Sequence, residues 1–233
     1  MQQKVEDIVG DPTLGGFLSE ALPKRAKPLG TGAFSVVVAH PRKESRVIKV
    51  TYDEGAFAYL TAELSSRHAP KVFRAAPIGR NALGMPVFAI EMERLLPYEK
   101  RRDSCGIGLK KLRRQIVQLA SAYDTDPTTC EDVEARAWAD VFRWLARRGD
   151  WPVSIRRYFG CLSQFFADWA DFDGMLHGGA TLVFDRVHRR NLGLRADGTP
   201  VFLDPVYASE ANEALDMLSS SRSTGRALLR LVA

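Results

Sequence analysis

Residues 29–50, LGTGAFSVVVAHPRKESRVIKV, hold the pattern that decides the fold. Two β-branched runs, Val36 to Ala39 and Arg46 to Thr51, are separated by the turn-forming PRKES, which predicts a pair of strands. Gly30 and Gly32 precede the first run. Glycine lets backbone amides approach a phosphate closely, so this turn can either simply reverse the chain or also bind an anion.

A helix and two further strands follow these runs. Asp53 has the side chain of a helix N-cap, and Leu60 and Leu64 would share one face of the helix that it opens. Lys71 to Ile78 and Pro86 to Met92 have strand character, and a glycine-containing turn joins them. The first hundred residues therefore predict a small sheet with one helix.

After Pro97 the sequence changes to helical periodicity. Apolar residues recur at intervals of three and four through three stretches, as one buried stripe on each helix requires. Strand character returns in Asn191 to Leu194 and Pro200 to Leu203, linked by an Asp-Gly turn. We predict an α+β fold of two lobes, with a ligand cleft between them. Its parts are an extension at 1–26, an antiparallel sheet lobe with one helix at 27–94, and a reduced, mainly helical lobe at 95–233.

The composition is that of a globular protein. The chain has 233 residues, of which 45% are hydrophobic and 26% charged, and this balance excludes wholesale disorder and coiled-coil fibre. The apolar runs are too short to cross a bilayer, and MQQKVEDIVGDP has acids where a signal peptide needs a basic start. We expect a cytoplasmic protein with no membrane partner. Cys105, Cys130 and Cys161 form no CxxC pair, so we expect free thiols.

The charge is mildly basic and uneven. Thirty-three Lys and Arg against 28 Asp and Glu give a net charge of +5, and basic pairs gather after residue 100. Such pairs suit solvated helix surfaces, and they also suit an acidic protein partner or a phosphorylated ligand. Aromatic residues that could stack on bases do not alternate with them, which argues against nucleic-acid binding.

Lys49 and a hairpin near the C-terminus carry candidate chemistry. A lysine within an apolar strand is costly unless it lies on an edge strand facing water or its ammonium reaches a partner. Asn191 and Asp204 are 13 residues apart with a turn between them, so a hairpin would bring them to one end. An amide oxygen and a carboxylate are ligands that suit Mg²⁺, although a turn Asn and a strand-end Asp are also common on their own.

Taken in order and spacing, these pieces resemble the protein-kinase-like superfamily, and they are most similar to the small early serine/threonine kinases of podophages. LGTGAFSVVV resembles the loop that covers the nucleotide, and VIKV the strand with its phosphate-binding lysine. FAIEMERL resembles the last sheet strand running into the hinge, and HRRN, a hairpin and DPV resemble the catalytic and metal loops. The matching positions are Gly30, Gly32, Ser35 in place of a third glycine, Lys49, the backbone of Glu91, Met92 and Glu93, Asn191 and Asp204.

The resemblance implies a function. ATP would bind under the glycine loop, Lys49 would contact its phosphates, and Asn191 and Asp204 would hold Mg²⁺. Phosphoryl transfer to Ser or Thr of host proteins, in the host cytoplasm, would follow. The helix acid that pairs with the lysine in this family would be Glu54, in the first turn, or Glu63, near the helix end, and we take Glu54.

Two departures from the family pattern leave alternatives open. Five residues before Asn191, where the family has its catalytic Asp, stands Arg186, which cannot act as a base; Asp185 is one residue further away. We predict that a bulged loop lets Asp185 act as the base. Only 29 residues follow Asp204, with no Ala-Pro-Glu motif, so residues 98–180 must bind the substrate. The alternatives are an inactive pseudokinase that binds a partner protein and an aminoglycoside-like small-molecule phosphotransferase.

Overall fold

The fold is described from a computed structural model. It describes residues 28–80, 84–98, 107–122, 135–171, 182–185 and 189–211. The predicted extension at 1–26, Cys105, Cys130 and Arg186 lie outside these ranges. Cys161, within them, is a free and partly buried thiol.

The first lobe is a five-stranded antiparallel sheet with the order β1-β2-β3-β5-β4. Its strands are β1 (Pro28–Thr31), β2 (Ser35–Ala39), β3 (Arg46–Thr51), β4 (Val72–Arg80) and β5 (Pro86–Glu93). Helix α1 (Glu54–Thr61) follows β3, and Asp53 is its N-cap, as predicted. Because β3 pairs with β2 on one side and β5 on the other, Lys49 lies on the central strand and not at an edge.

The second lobe is built on helices α2 (Leu109–Ala122), α3 (Ala135–Arg147) and α4 (Val153–Asp171). Large aromatic side chains fill the contact between α3 and α4. The Phe142 ring lies 5.7 Å from that of Phe166 and 4.9 Å from that of Phe184, measured between centroids. We call the buried residues Trp138, Phe142, Phe159, Phe166 and Phe184 the aromatic core. It anchors the strand that leads into the functional loops.

Short strands connect the two lobes. They are β6 (Leu96–Pro97), β7 (Leu182–Phe184), β8 (Leu192–Leu194), β9 (Pro200–Phe202) and β10 (Val206–Ala208), with a 3₁₀ turn at Arg189–Asn191 before β8. β8 and β9 form the predicted hairpin, and β6 adds to it from the hinge. β7 pairs with β10 in antiparallel register. These pairings bring residues 185, 191 and 204 to one end of the hairpin.

The predicted α+β fold, with an antiparallel sheet lobe and a mainly helical lobe, is confirmed. α1 ends earlier than its apolar pattern indicates, because Glu63 adopts a left-handed backbone with φ of 49° and Leu64 leaves the helical path. None of the helices in the described ranges is long and apolar enough to span a membrane.

Candidate functional site

A cleft of about 1570 Å³ lies between the lobes. The sheet lobe contributes its glycine loop and central strand, the hinge follows β5, and the hairpin lines the opposite wall. The predicted site residues that line this cleft are Gly30, Gly32, Ser35, Lys49, Met92, Glu93, Asp185, Asn191 and Asp204. Segments separated by more than 150 residues therefore meet in one cavity.

The glycine loop forms a tight turn over the cleft. The Gly32 amide donates to the Ser35 carbonyl at 2.8 Å, which closes the turn. A Cβ at Gly30 would meet nothing within 4 Å, whereas one at Gly32 would come 3.0 Å from Ser35 Oγ. Ser35, in place of a third glycine, is buried and packs its hydroxyl against the turn. The side-chain position at Gly30 therefore faces open space.

Lys49 is buried, with 4% of its surface exposed, and its Nζ lies 2.7 Å from Asp204 Oδ1. Side chains alternate along a strand, so Lys49 faces the cleft together with Val47. An ammonium at this depth is stable only beside an opposite charge. The pair thus joins the centre of the sheet to the end of the hairpin.

Asp204 connects Lys49 to the open cleft. Its Oδ1 is sealed from solvent and has no hydrogen bond in the structure, so the ion pair with Lys49 is its polar contact there. The side chain as a whole is 33% exposed, and this exposed part borders the cleft. One carboxylate oxygen is therefore engaged with the lysine while the rest of the group faces the cavity.

Asp185 and Asn191 are hydrogen-bonded to each other. Asn191 Nδ2 donates to Asp185 Oδ2. The oxygen of the Asn191 side-chain amide therefore points away from this bond. The Asp185 amide donates to the Pro205 carbonyl at 2.8 Å, and the Leu203 amide donates to the Asn191 carbonyl at 2.8 Å. These bonds hold the two side chains beside Asp204. Asp185 lines the cleft although it is one residue out of the family register.

The N-terminus of α1 packs on β10 through the Asp53 carboxylate, which the sequence predicted only as a helix cap. Asp53 Oδ1 accepts from the Ala56 amide at 3.2 Å and from the Ala208 amide at 2.9 Å. A Cβ at Gly55 would lie 2.6 Å from Ala208 N, so only glycine allows this approach. We call Asp53, Gly55 and Ala208 the α1–β10 contact. A glycine inside a helical pattern was the available signal, since it marks close backbone approach.

Asp53 also interacts electrostatically with the site. Burial raises its pKa to about 7, and the Asp204 carboxylate adds to the rise, while the Ala208 amide and the Lys49 ammonium lower it. Asp53 thus lies close enough to Lys49 and Asp204 to act on both charges. Of the two acids proposed as partners of Lys49, Glu54 is half-buried in the first turn of α1, and Glu63 is exposed beyond its end. The Lys49–Glu54 pair stays a prediction.

The hinge is fastened to the hairpin by Arg195, which the sequence analysis also missed. Arg195 donates to Glu93 Oε2 at 3.0 Å and Oε1 at 2.5 Å, and to the Ala69 carbonyl at 3.0 Å. Glu91 points elsewhere, since its carboxylate accepts from Arg46 at 2.6 Å and Lys43 at 3.1 Å. Of the predicted hinge residues, Met92 and Glu93 line the cleft.

Comparisons with known proteins give remote similarities. No protein-family model and no curated protein matches the chain. A crystal structure of aminoglycoside phosphotransferase APH(4)-Ia is 9% identical with a TM-score of 0.35, and the match covers 85% of this chain and 73% of that chain. A thermostable mutant of that enzyme, in ternary complex with AMP-PNP and hygromycin B, is 12% identical with a TM-score of 0.34, covering 83% and 71%. The site assignment rests on the contacts above and not on these matches.

The cleft fits a nucleotide with Mg²⁺. The Asn191 amide oxygen and the Asp204 carboxylate are hard oxygen donors, and backbone hydrogen bonds place them side by side. Within the described ranges no group of three or more His, Cys, Asp and Glu side chains could hold a metal alone. Mg²⁺ is commonly bound by one or two side chains together with substrate phosphates. The donor set therefore suits a metal that arrives with a phosphorylated ligand.

Proposed function

We propose that this protein is an ATP-dependent phosphotransferase that phosphorylates Ser or Thr of proteins. The observation that carries the proposal is the buried ion pair between Lys49 and Asp204, at the centre of a cleft that also collects the glycine loop, Asp185 and Asn191. A buried lysine facing a cavity beside a partly exposed carboxylate suits the phosphates and metal of a nucleotide.

Each residue has a role in the proposed transfer. Lys49 would contact the phosphates, and Asn191 and Asp204 would hold Mg²⁺, which supplies neutralisation of phosphate charge when bound. Asp185 would accept the proton of the acceptor hydroxyl. The hydroxyl oxygen would then bond to the γ-phosphorus while the bond from that phosphorus to ADP breaks. The hydrogen bond from Asn191 would hold the Asp185 carboxylate in a fixed orientation, as a general base requires.

The position of Asp185 favours an active enzyme over a pseudokinase. It lines the cleft beside Asn191, so the extra residue in its loop does not remove it from the site. The choice of a protein acceptor, in the manner of a phage kinase acting on host proteins, rests on the resemblance of LGTGAFSVVV, VIKV and DPV. A host protein in the cytoplasm, without nucleic acid or membrane, is part of this proposal.

Nucleotide binding and transfer test the proposal together. Mg-ATP at 100 times its Kd should stabilise the folded protein by about 2.7 kcal/mol, seen as a rise in Tm. Asp185→Asn should lower turnover on a protein acceptor about 10²–10⁴-fold while leaving ATP affinity within twofold, because removing a general base costs the chemical step. Lys49→Ala and Asp204→Ala should reduce both the affinity for Mg-ATP and the turnover.

Lys43→Ala is the matched control, because Lys43 is exposed and pairs with Glu91 away from the cleft. It should change neither the Tm shift nor turnover. Absence of a Tm shift with any nucleotide would remove the proposed function. ATP binding without transfer to any protein or small molecule would favour the pseudokinase.

A further inference from the structure

Three arginines line the cleft on the wall formed by the helical lobe. Arg189 and Arg190 belong to the 3₁₀ turn directly before Asn191, and Arg113 projects from α2. All three are exposed, and all three border the same cavity as Asp185. They therefore lie where an acceptor would approach the proposed base.

The carboxylates of the cleft are already engaged. Glu93 is bonded to Arg195, Asp204 is paired with Lys49, and Asp185 accepts from Asn191. By contrast, neither Arg113 nor Arg189 forms an ion pair with a carboxylate of the described residues. The described lining thus has cationic groups whose charge is not balanced from within the cleft, and an anionic ligand would balance it.

Apolar and cationic groups share the lining of the cleft. The sheet and hinge side offers apolar side chains suited to a nucleotide base, among them Leu29, Val37, Val47 and Met92. Arg189 and Arg190 lie in the turn that ends in Asn191, and Arg113 lies on α2. The exposed Arg94 adds a further cation on the hinge side. A guanidinium binds carboxylate or phosphate through two parallel hydrogen bonds, which sets position as well as charge.

We propose that the acceptor is an acidic peptide segment, in which the Ser or Thr hydroxyl is flanked by carboxylates that bind Arg113 and Arg189. This inference rests on the proposed phosphotransferase function and names its substrate class. The same arginines would repel a polycationic acceptor such as an aminoglycoside, because like charges within one site are costly. The arginines therefore select among acceptors that a shared phosphotransfer site would otherwise treat alike.

The arginines could instead serve the phosphates of ATP, and a kinetic experiment separates the two roles. Wild type is assayed with three Ser peptides of equal length, flanked by Asp and Glu, by Ala and Gly, or by Lys and Arg. We expect kcat/KM to be at least tenfold higher for the acidic peptide than for the neutral one, and to fall as salt is raised.

The variants are Arg113→Glu and Arg189→Glu, with Arg114→Glu as the matched control. Arg114 is the next residue on α2, is exposed and does not line the cleft. The two cleft variants should raise KM for the acidic peptide about 10–100-fold, because each removes a charge-assisted contact and places a like charge beside the peptide. The Kd for Mg-ATP should stay within twofold, and Arg114→Glu should behave as wild type.

Three outcomes would overturn the acidic acceptor. They are equal rates on the three peptides, an effect of Arg114→Glu as large as that of Arg113→Glu, and loss of ATP affinity in place of peptide affinity. Transfer to an aminoglycoside but to no acidic peptide would also overturn it while leaving phosphotransfer intact. If wild type transfers to nothing, anisotropy of the labelled peptides still decides, because tighter binding of the acidic peptide supports the assignment and equal binding rejects it.

Discussion

The aromatic core and the α1–β10 contact hold their parts of the molecule together in different ways. The first packs rings of α3, α4 and β7 without a directional bond among them. The second joins a helix to a strand by one carboxylate and a backbone approach that excludes even a methyl group. Apolar packing tolerates small shifts in direction, whereas hydrogen bonds and contacts at van der Waals limits do not. Stability should therefore depend mainly on the aromatic core, and the geometry around Asp204 on the α1–β10 contact.

The largest expected effect is on the aromatic core. Phe142 is fully buried and touches rings from two other elements. Phe142→Ala should lower the free energy of unfolding by about 3–5 kcal/mol, because it removes apolar contact and leaves a cavity. Denaturant titration measures this loss.

Trp144→Ala on the same helix is the control, since Trp144 is partly exposed and rests against Arg148. Its effect should stay within about 1 kcal/mol, because surface substitutions cost little. If Phe142→Ala lowered the free energy of unfolding no more than Trp144→Ala does, the conclusion that stability depends mainly on the aromatic core would be wrong.

The next effect is at the α1–β10 contact. Gly55→Ala would place a methyl group 2.6 Å from Ala208 N and from Tyr207 C. Neither backbone atom can rotate away, so overpacking should cost about 1–3 kcal/mol and push α1 off β10. We expect ATP affinity and turnover to fall more than stability alone explains, measured at a temperature where the variant is folded.

Gly160→Ala is the matched control, and its expected effect on stability is opposite in sign to that of Gly55→Ala. A Cβ at Gly160, in the exposed face of α4, would meet nothing within 4 Å. Alanine there should stabilise the protein by about 0.5–1 kcal/mol through its helix propensity and leave ATP affinity unchanged. Loss of nucleotide binding in this variant would show that the helical lobe controls the site as well.

The last effect is a gradual pH dependence of the α1–β10 contact. Burial raises the pKa of Asp53 from 3.8 to about 7. The folded state therefore holds this proton more tightly than the unfolded state, and its stabilising effect is complete below about pH 4 and lost as pH rises to about 7. For one proton the slope reaches at most about 1.4 kcal/mol per pH unit.

Asp53→Asn removes the titration but keeps an oxygen that can accept from Ala56 and Ala208. The Tm difference between Asp53→Asn and wild type should therefore grow in favour of the variant from pH 5 to pH 8. Parallel Tm curves for the two proteins over this range would contradict the raised pKa. Asp53→Ala, which lacks the acceptor, should be less stable than Asp53→Asn at every pH.

The sequence predicted the parts of the molecule that depend on local pattern. Intervals of three and four predicted one buried stripe on each helix, and the structure buries such residues as Leu112, Leu145, Phe159 and Phe166. Runs of β-branched residues located β2 and β3, and the Asp-Gly turn located the β8–β9 hairpin. Each of these signals lies within one element or one turn, so no knowledge of the rest of the chain was needed.

The remaining contacts join residues that no local pattern connects. Asp53 and Ala208 are 155 residues apart, and Glu93 and Arg195 are 102 apart. Asp53 was identified as a cap because a cap is a local property, and its second hydrogen bond depends on where β10 lies. The proximity of Lys49 to Asn191 and Asp204 was predicted only from the resemblance to kinases. Three-dimensional proximity of this kind is decided by packing of the whole chain.

The distance in sequence between Asp53 and Ala208 has a consequence for the growing chain on the ribosome. The sheet lobe is synthesised early, and its strands can pair soon after they emerge. The amide that completes the environment of Asp53, however, becomes available only after residue 208 has left the exit tunnel. Until then Lys49 also lacks Asp204, and contacts of such long range close slowly. A nascent chain would thus carry a formed sheet before its cleft is complete, and the proposed ability to bind Mg-ATP would arise late in its synthesis.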